Sequence, residues 1–178
     1  MSGFQPEAEF PVRPLPSFDH ESRVAAGDHG ALRLWLRLLT CGNMIEARIR
    51  AHLRTEFDCT LPRFDLLAQL DRHPEGLKMG ELSQRLMVTG GNITGITDQL
   101  EADGWVARAG VDSDRRAWRV KLTPRGKKAF RQMADVHEHW VIAMFAELDT
   151  KDASRLYALL GDLKASILAR DRAWKKPS

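Results

Sequence analysis

The stretch Val88–Trp105, VTGGNITGITDQLEADGW, has the composition of a poor helix and the periodicity of a good one. Three glycines and three threonines crowd its first ten residues, although glycine costs a helix interior about 1 kcal/mol relative to alanine. Ile93, Ile96 and Leu100 nevertheless recur at helical spacing, and Gly104 stands where a helix usually stops. The reading of this stretch turns on why a helix should begin so badly.

Its neighbours give the context. Upstream, LKMGELSQRLMV predicts a short helix with Leu82 and Leu86 four apart, separated from the glycine-rich segment only by residues 87–90. Two short helices across a tight turn form a helix-turn-helix. Downstream the period changes to two, with Trp118, Val120 and Leu122 alternating with Arg119 and Lys121, as in a half-buried strand. The turn-like AGVDSDRR before it completes a two-stranded β-wing.

Further out, apolar residues from Leu32 to Leu53 fall at three- and four-residue steps between arginines, predicting one amphipathic helix from Gly30 to Phe57, ~40 Å long at 1.5 Å per residue. A second helix is expected from Pro62 to about Arg72, with Phe64, Leu67 and Leu70 inward. Thr123 and Pro124 open a helix through about Leu148, carrying Phe130, Met133, Trp140 and Met144. Thr150 is expected to cap a last helix whose Leu156, Leu159, Leu160, Leu163 and Ile167 form an apolar stripe. That stripe is too apolar to face water on a monomer, which points to a two-fold dimer. Residues 1–28 hold four of the eight prolines and read as a flexible or draped arm.

Composition narrows the function classes. At 178 residues with 43% hydrophobic content the chain is an ordinary globular one. Its apolar runs fall far below the ~18 residues of a membrane span, and the acidic, proline-rich start lacks a secretory signal. A cytoplasmic protein without membrane partners is expected. Cys41 and Cys59 make neither a disulfide framework nor a zinc-finger spacing and read as small hydrophobes, with redox sensing the alternative. His137 and His139, two apart on a helix, point to different faces and suit a metal poorly. Ser83 and Ser113 lack nucleophile-elbow neighbours, and no His–carboxylate pairing is legible, so no catalytic residues, metal or cofactor are assigned and no enzyme is expected.

The net charge of +3 is unevenly spread: Trp105–Arg131 holds nine bases against two acids, a local +7. A basic segment beside a helix-turn-helix is a nucleic-acid footprint. A recognition helix presents its N-terminal end to DNA, where free N–H groups and the helix dipole favour phosphate and bulk would hold the backbone away. Gly90 and Gly91 permit that approach, while Asn92, Thr94 and Thr97 project hydrogen-bonding groups toward base edges or phosphates. A nucleotide-binding loop is the rival, but the segment lacks the P-loop lysine and the Rossmann glycine spacing.

The run MGELSQRLMVTGGNITGITDQLEADGWVARAGVDSDRRAWRVKLTPRGKKAF resembles the MarR family of winged-helix transcription regulators, down to the DRR wing tip and the VKLTPRG exit. The resemblance covers about Gly30–Ala169. It implies a mainly α fold: a winged helix-turn-helix lobe, about residues 61–123, with an N- and C-terminal helical dimerisation region, about 30–57 and 124–171, inside a family-type domain at 29–178. It further implies a homodimer that sets two lobes on successive major grooves of a near-palindromic, double-stranded operator. Arg116 is then placed at the wing tip in the minor groove, with Asp114 and Arg115 shaping that tip.

The sequence departs from the usual pattern in having no base between Thr89 and Gly104. Base reading is thus expected from neutral side chains in the set Thr89, Gly90, Gly91, Asn92, Thr94 and Thr97. Phosphate affinity falls to the wing and to residues such as Arg63, Lys78 and Arg85. Family effectors are commonly aromatic carboxylates, sometimes coenzyme A thioesters, so the resemblance implies a repressor released by such a molecule. For its site, Trp35, Leu39 and Met44 offer an apolar wall, and Arg48, His52 and Arg63 answer a carboxylate or phosphates. The alternative class is a small helical ligand carrier or enzyme with that cleft as its site.

Overall fold

The computed structural model describes residues 30–111 and 114–174, with side chains placed for 30–110 and 118–170. Among the described residues six helices and three strands follow in the order α1 (Gly30–Phe57), α2 (Leu61–Asp71), β1 (Leu77–Lys78), α3 (Met79–Leu86), α4 (Gly90–Ala102), β2 (Val106–Val111), β3 (Asp114–Leu122), α5 (Pro124–Phe145) and α6 (Thr150–Trp174). The expected N-terminal arm lies outside the described residues. The chain divides into two units, residues 1–44 and 45–178, with the boundary inside α1. In the first unit Leu32, Leu34, Trp35 and Leu39 are exposed.

In the second unit one core gathers Ile49 and Leu53 of α1, Phe64, Leu66, Leu67 and Leu70 of α2, Leu82 of α3, and Ile93, Ile96 and Leu100 of α4. Phe130, Met133 and Trp140 of α5 complete it, together with Leu77, Val106 and Val120 from the strands. The helix α2 is central because it is apolar on most sides, and it meets α3, α4, α5 and β3. Each fully buried Leu or Phe contributes about 1.5–3 kcal/mol relative to exposure. Cys59 sits in this core, and burial pushes its thiol up to about 11 against the opposing pull of the Arg63 charge. It is packed as a small hydrophobe, whereas Cys41 is exposed.

Local chemistry sets the boundaries. Asp58 takes a left-handed conformation (φ 47°) after α1, and the Cys59 N–H returns to Leu53 O at 3.1 Å. Pro62 lies in the first turn of α2, where its missing N–H is harmless. At α3 the Glu81 carboxylate accepts from the Lys78 N–H at 2.7 Å, and this bond holds its carboxyl below the usual range. Met87, almost wholly exposed, ends α3 at φ 52°. The Ser83 hydroxyl closes the turn into α4 by donating to Val88 O at 2.6 Å.

The expected two-stranded wing is present as β2 and β3, and a strand the sequence does not announce, β1, extends it into a three-stranded antiparallel sheet of order β1-β3-β2. The added strand is two residues long, pairing Leu77 with Val120 and Lys78 with Arg119. Gly76 makes that approach possible at φ 79°, where a Cβ would lie 2.7 Å from Val120 O. The expected inward alternation on β3 also fails at its outer end: Val120 is buried and Leu122 half-buried, but Trp118 is exposed opposite Gly110. The hairpin has by then run past the helices that would cover it.

Thr123 joins wing to α5. Its side chain accepts from the Gly126 N–H at 3.0 Å and donates to Gly104 O at 2.7 Å. Gly126 is obligatory there, since a Cβ would stand 1.8 Å from Trp105 O. The helix α5 ends at Phe145, three residues before the expected point. For α6 the cap is Asp149 and not Thr150: its carboxylate accepts from the Asp152 N–H at 2.7 Å. Every residue from Ser154 to Arg170 on α6 is exposed, leucines included. No helix among the described residues is long and apolar enough to cross a membrane.

Candidate nucleic-acid interface

The helix α4 has two unlike faces. Ile93, Ile96, Thr97 and Leu100 are buried, while Gly90, Gly91, Asn92, Thr94, Gly95, Asp98 and Gln99 are exposed. Thr89, in extended conformation, caps the helix by accepting from the Asn92 N–H at 3.4 Å. A Cβ placed on Gly90, Gly91 or Gly95 would meet nothing within 4 Å. The chain's own packing therefore asks for no glycine at these positions, and their bareness matters only to something approaching from outside. The Thr94 hydroxyl donates back to Gly90 O at 3.0 Å, leaving its oxygen able to accept from a neighbour.

Thr97 does not belong with them. It is fully buried, its hydroxyl donates to Ile93 O at 2.8 Å, and Met79 Sδ lies 3.8 Å away. Expected at a groove, it is a core residue, because position 97 follows Ile93 by four and precedes Leu100 by three on the inward stripe. Arg85 is exposed on the last turn of α3. Asp114, Arg115 and Arg116 begin β3, with Asp114 opposite Val111, but their side chains lie outside the described residues, as do residues 112 and 113.

Sequence reasoning missed how the acids near this helix are held. The Arg108 guanidinium on β2 donates through Nη2 to Asp98 Oδ1 at 2.5 Å and through Nη1 to Glu101, while the Arg108 N–H donates to Glu101 Oε1 at 3.2 Å. The bond to Asp98, with the nearby charges, raises the Arg108 pKa further. Beyond the end of α4, Asp103 is ion-paired with Arg63 of α2, whose guanidinium carbon lies 5.2 Å from the Trp105 ring centre. Arg63, expected to answer an effector or a phosphate, thus has its guanidinium engaged within the chain, while its Nε is buried without a hydrogen-bond partner.

The remaining expected effector residues are scattered in their surroundings. Trp35, Leu39 and Met44 are exposed on the part of α1 in the first unit. Arg48 is exposed in the second. His52 is half-buried, stacked on Trp140 at 4.8 Å, with Nδ1 3.1 Å from Glu56 Oε1, so its ring is a packed element. A cavity of about 370 Å³ opens instead between α2, α3 and α5, lined by Phe64, Asp65, Ala68, Gln69, Arg72, Arg85, Leu86 and His137. Burial lowers the His137 pKa and raises that of Asp65, the latter also through Glu46. Asp65 and Gln69 of α2 and Arg72 at its C-cap follow one another at four- and three-residue steps, a polar stripe the sequence displays but apolar spacing does not flag. Among the described residues no group of three His, Cys, Asp or Glu side chains is placed to hold a metal ion.

Known proteins share this arrangement. Residues 57–117 match the MarR family model. The transcriptional repressor YetL of Bacillus subtilis is 28% identical over 157 residues, covering 85% of this chain and 93% of that protein. A MarR family transcriptional regulator from Silicibacter pomeroyi superposes with a TM-score of 0.66 at 31% identity, covering 77% of this chain and 94% of that one. The fold also matches a Streptomyces coelicolor MarR family regulator solved in complex with DNA, at a TM-score of 0.65, 23% identity, and coverage of 75% and 84%. With its helix-turn-helix, its wing and a 31% identical relative spanned almost end to end, the chain belongs to the MarR family of transcriptional regulators.

Proposed function

We propose that this chain is a DNA-binding transcription repressor that works as a homodimer on a near-palindromic operator and is released by a small aromatic acid or its coenzyme A thioester. The observation that carries the DNA-binding part is the first turn of α4: capped by Thr89, bare at Gly90, Gly91 and Gly95, polar at Asn92 and Thr94, with its other face sealed into the core. Such an end combines unpaired N–H groups, the positive end of the helix dipole and room for a phosphate or a base edge. On this reading Thr89, Gly90, Gly91, Asn92 and Thr94 enter the major groove and Arg85 meets a phosphate. Arg116 enters the minor groove beside Asp114 and Arg115. That a regulator of the same fold from Streptomyces coelicolor was solved in complex with DNA supports DNA as the partner.

The dimer rests on α6. Leu156, Leu159, Leu160, Leu163 and Ile167 are all exposed in the single chain, a stripe that water would penalise and a second copy would cover. In this proposal residues 61–123 read the DNA, while 30–57 and 124–171 hold the two copies together. The effector part rests on the cavity of α2, α3 and α5. Its volume suits a substituted benzoate, Phe64 and Leu86 supply an apolar lining, and Arg72 and Arg85 are cations for a carboxylate. A ligand releases DNA by binding the DNA-free state better, and a coupling of about 1–3 kcal/mol is enough.

The deciding experiment measures binding to the intergenic DNA beside the gene against scrambled DNA, then repeats it with a panel of aromatic acids and their thioesters. Operator binding well above the scrambled control, relieved by a panel member in wild type but not in Arg72→Ala, is expected. No preference over scrambled DNA would overturn the reading. Equal relief in the variant would move the effector to another site.

A further inference from the structure

Arg108 joins the two DNA-facing elements of the lobe. It lies at the root of the hairpin, paired in register with the buried Val120, and reaches across to two carboxylates one turn apart on α4. A third contact, the Arg108 N–H to Glu101 at 3.2 Å, fixes the backbone of β2 as well as its side chain. We propose that Arg108, Asp98 and Glu101 form a clamp that fixes the angle between wing and recognition helix, so that both meet DNA as one preorganised body. This inference rests on the DNA-binding reading and adds to it three positioning residues that need not touch DNA themselves.

Two features make a positioning role more apt than a simple stabilising one. The carboxylates are substantially exposed, with side-chain accessibility of 57% for Asp98 and 37% for Glu101, and pairs so placed contribute little to folding stability. They are also an odd choice for charge: α4 contains no lysine or arginine, yet its face toward the wing carries acids. Acids beside a polyanion would weaken binding unless their neutralisation by a specific partner does something else. A guanidinium fork that grips two carboxylates and leaves its own main chain bonded to one of them sets distance and angle together. A wing and helix held in register spend no binding free energy on mutual ordering.

The test separates geometry from charge. Asp98→Asn/Glu101→Gln adds two units of positive charge to each protomer while removing the clamp. If the acids merely repel phosphate, that variant binds the operator more tightly. The clamp requires the opposite, about tenfold weaker operator binding, with a salt slope shallower by about 1 for each phosphate contact that falls out of register. Affinities are measured per folded dimer, with melting temperature and oligomeric state recorded alongside. Arg108→Lys, which keeps the charge and the stem but lacks the fork, is the second variant and covers the case in which the double variant does not fold. It is expected to lose affinity in the same direction at a near wild-type melting temperature. Wild-type or tighter operator binding by either folded variant overturns the clamp while leaving DNA binding intact. A wild-type protein that binds no operator removes the reading underneath, and the clamp with it.

Discussion

The helices α4 and α6 carry similar apolar spacing and meet opposite fates. In α4 the residues Ile93, Ile96 and Leu100 are sealed under the chain's own α2 and α3, whereas in α6 the residues Leu156, Leu159, Leu160 and Leu163 all face outward. Periodicity states that a face will be covered and is silent on whose side chains will cover it. The contrast divides the labour: α4 has its apolar face finished within one chain and turns a polar face outward, while α6 turns outward the very groups a helix usually hides. On the proposed function the two outward faces address DNA and a second copy respectively.

Four substitutions would sharpen or break that contrast. The largest effect is expected inside the lobe, where Leu100→Ala leaves a cavity under α4 and costs about 2–5 kcal/mol, read as a lowered denaturant midpoint. A loss below about 1 kcal/mol would mean that α4 is not sealed as described. Next comes α6: Leu160→Asp should convert the protein to monomers in sedimentation and weaken operator binding by about 100-fold, because two linked half-sites are engaged by one dimer. A folded dimer with full affinity would displace the interface from this stripe.

Smaller again, Arg116→Ala should weaken operator binding by about tenfold and flatten its salt slope by about 2 per dimer, while dimerisation and melting temperature stay near wild type. Unchanged affinity would remove the wing tip from the interface. The smallest change is expected from Thr97→Val, whose hydroxyl donates to the helix's own Ile93 carbonyl and otherwise faces only the weak acceptor Met79 Sδ at 3.8 Å. Operator affinity should hold within about twofold and stability within about 1 kcal/mol. A tenfold loss of binding without a loss of stability would return Thr97 to the groove.

Much of this was legible before the structure. The bounds of α1, Gly30–Phe57, follow from apolar steps between arginines, and the helix-turn-helix follows from two short periodic segments across a tight turn. What stayed hidden depended on partners distant in sequence. The strand β1 is two residues long and exists only through Val120 and Arg119, more than forty positions away. Arg63 looks like a free cation until the fold sets Asp103 against it, and Trp118 looks inward until the hairpin is seen to outrun its cover. Thr97 is a different kind of miss. Its position on the Ile93–Leu100 stripe already marked it as buried, but its hydroxyl drew it into a chemical argument that the geometry overrules. Asp149 and Thr150 are both capping residue types, and only the Asp152 N–H bonded to the Asp149 carboxylate tells them apart.

Among the described glycines two kinds stand in sharp contrast, and a complete scan of single substitutions would tell them apart. Gly126 is hemmed in by the Trp105 carbonyl, so even alanine is refused there, and the position should read as intolerant in any assay of soluble protein. Gly90, Gly91 and Gly95 stand in open space, so substitution should leave expression untouched or improved, alanine being the better helix former. Depletion at these three positions in a reporter selection, set against tolerance in an abundance selection, would trace the outline of the bound DNA in a list of viable mutants, without a complex ever being crystallised.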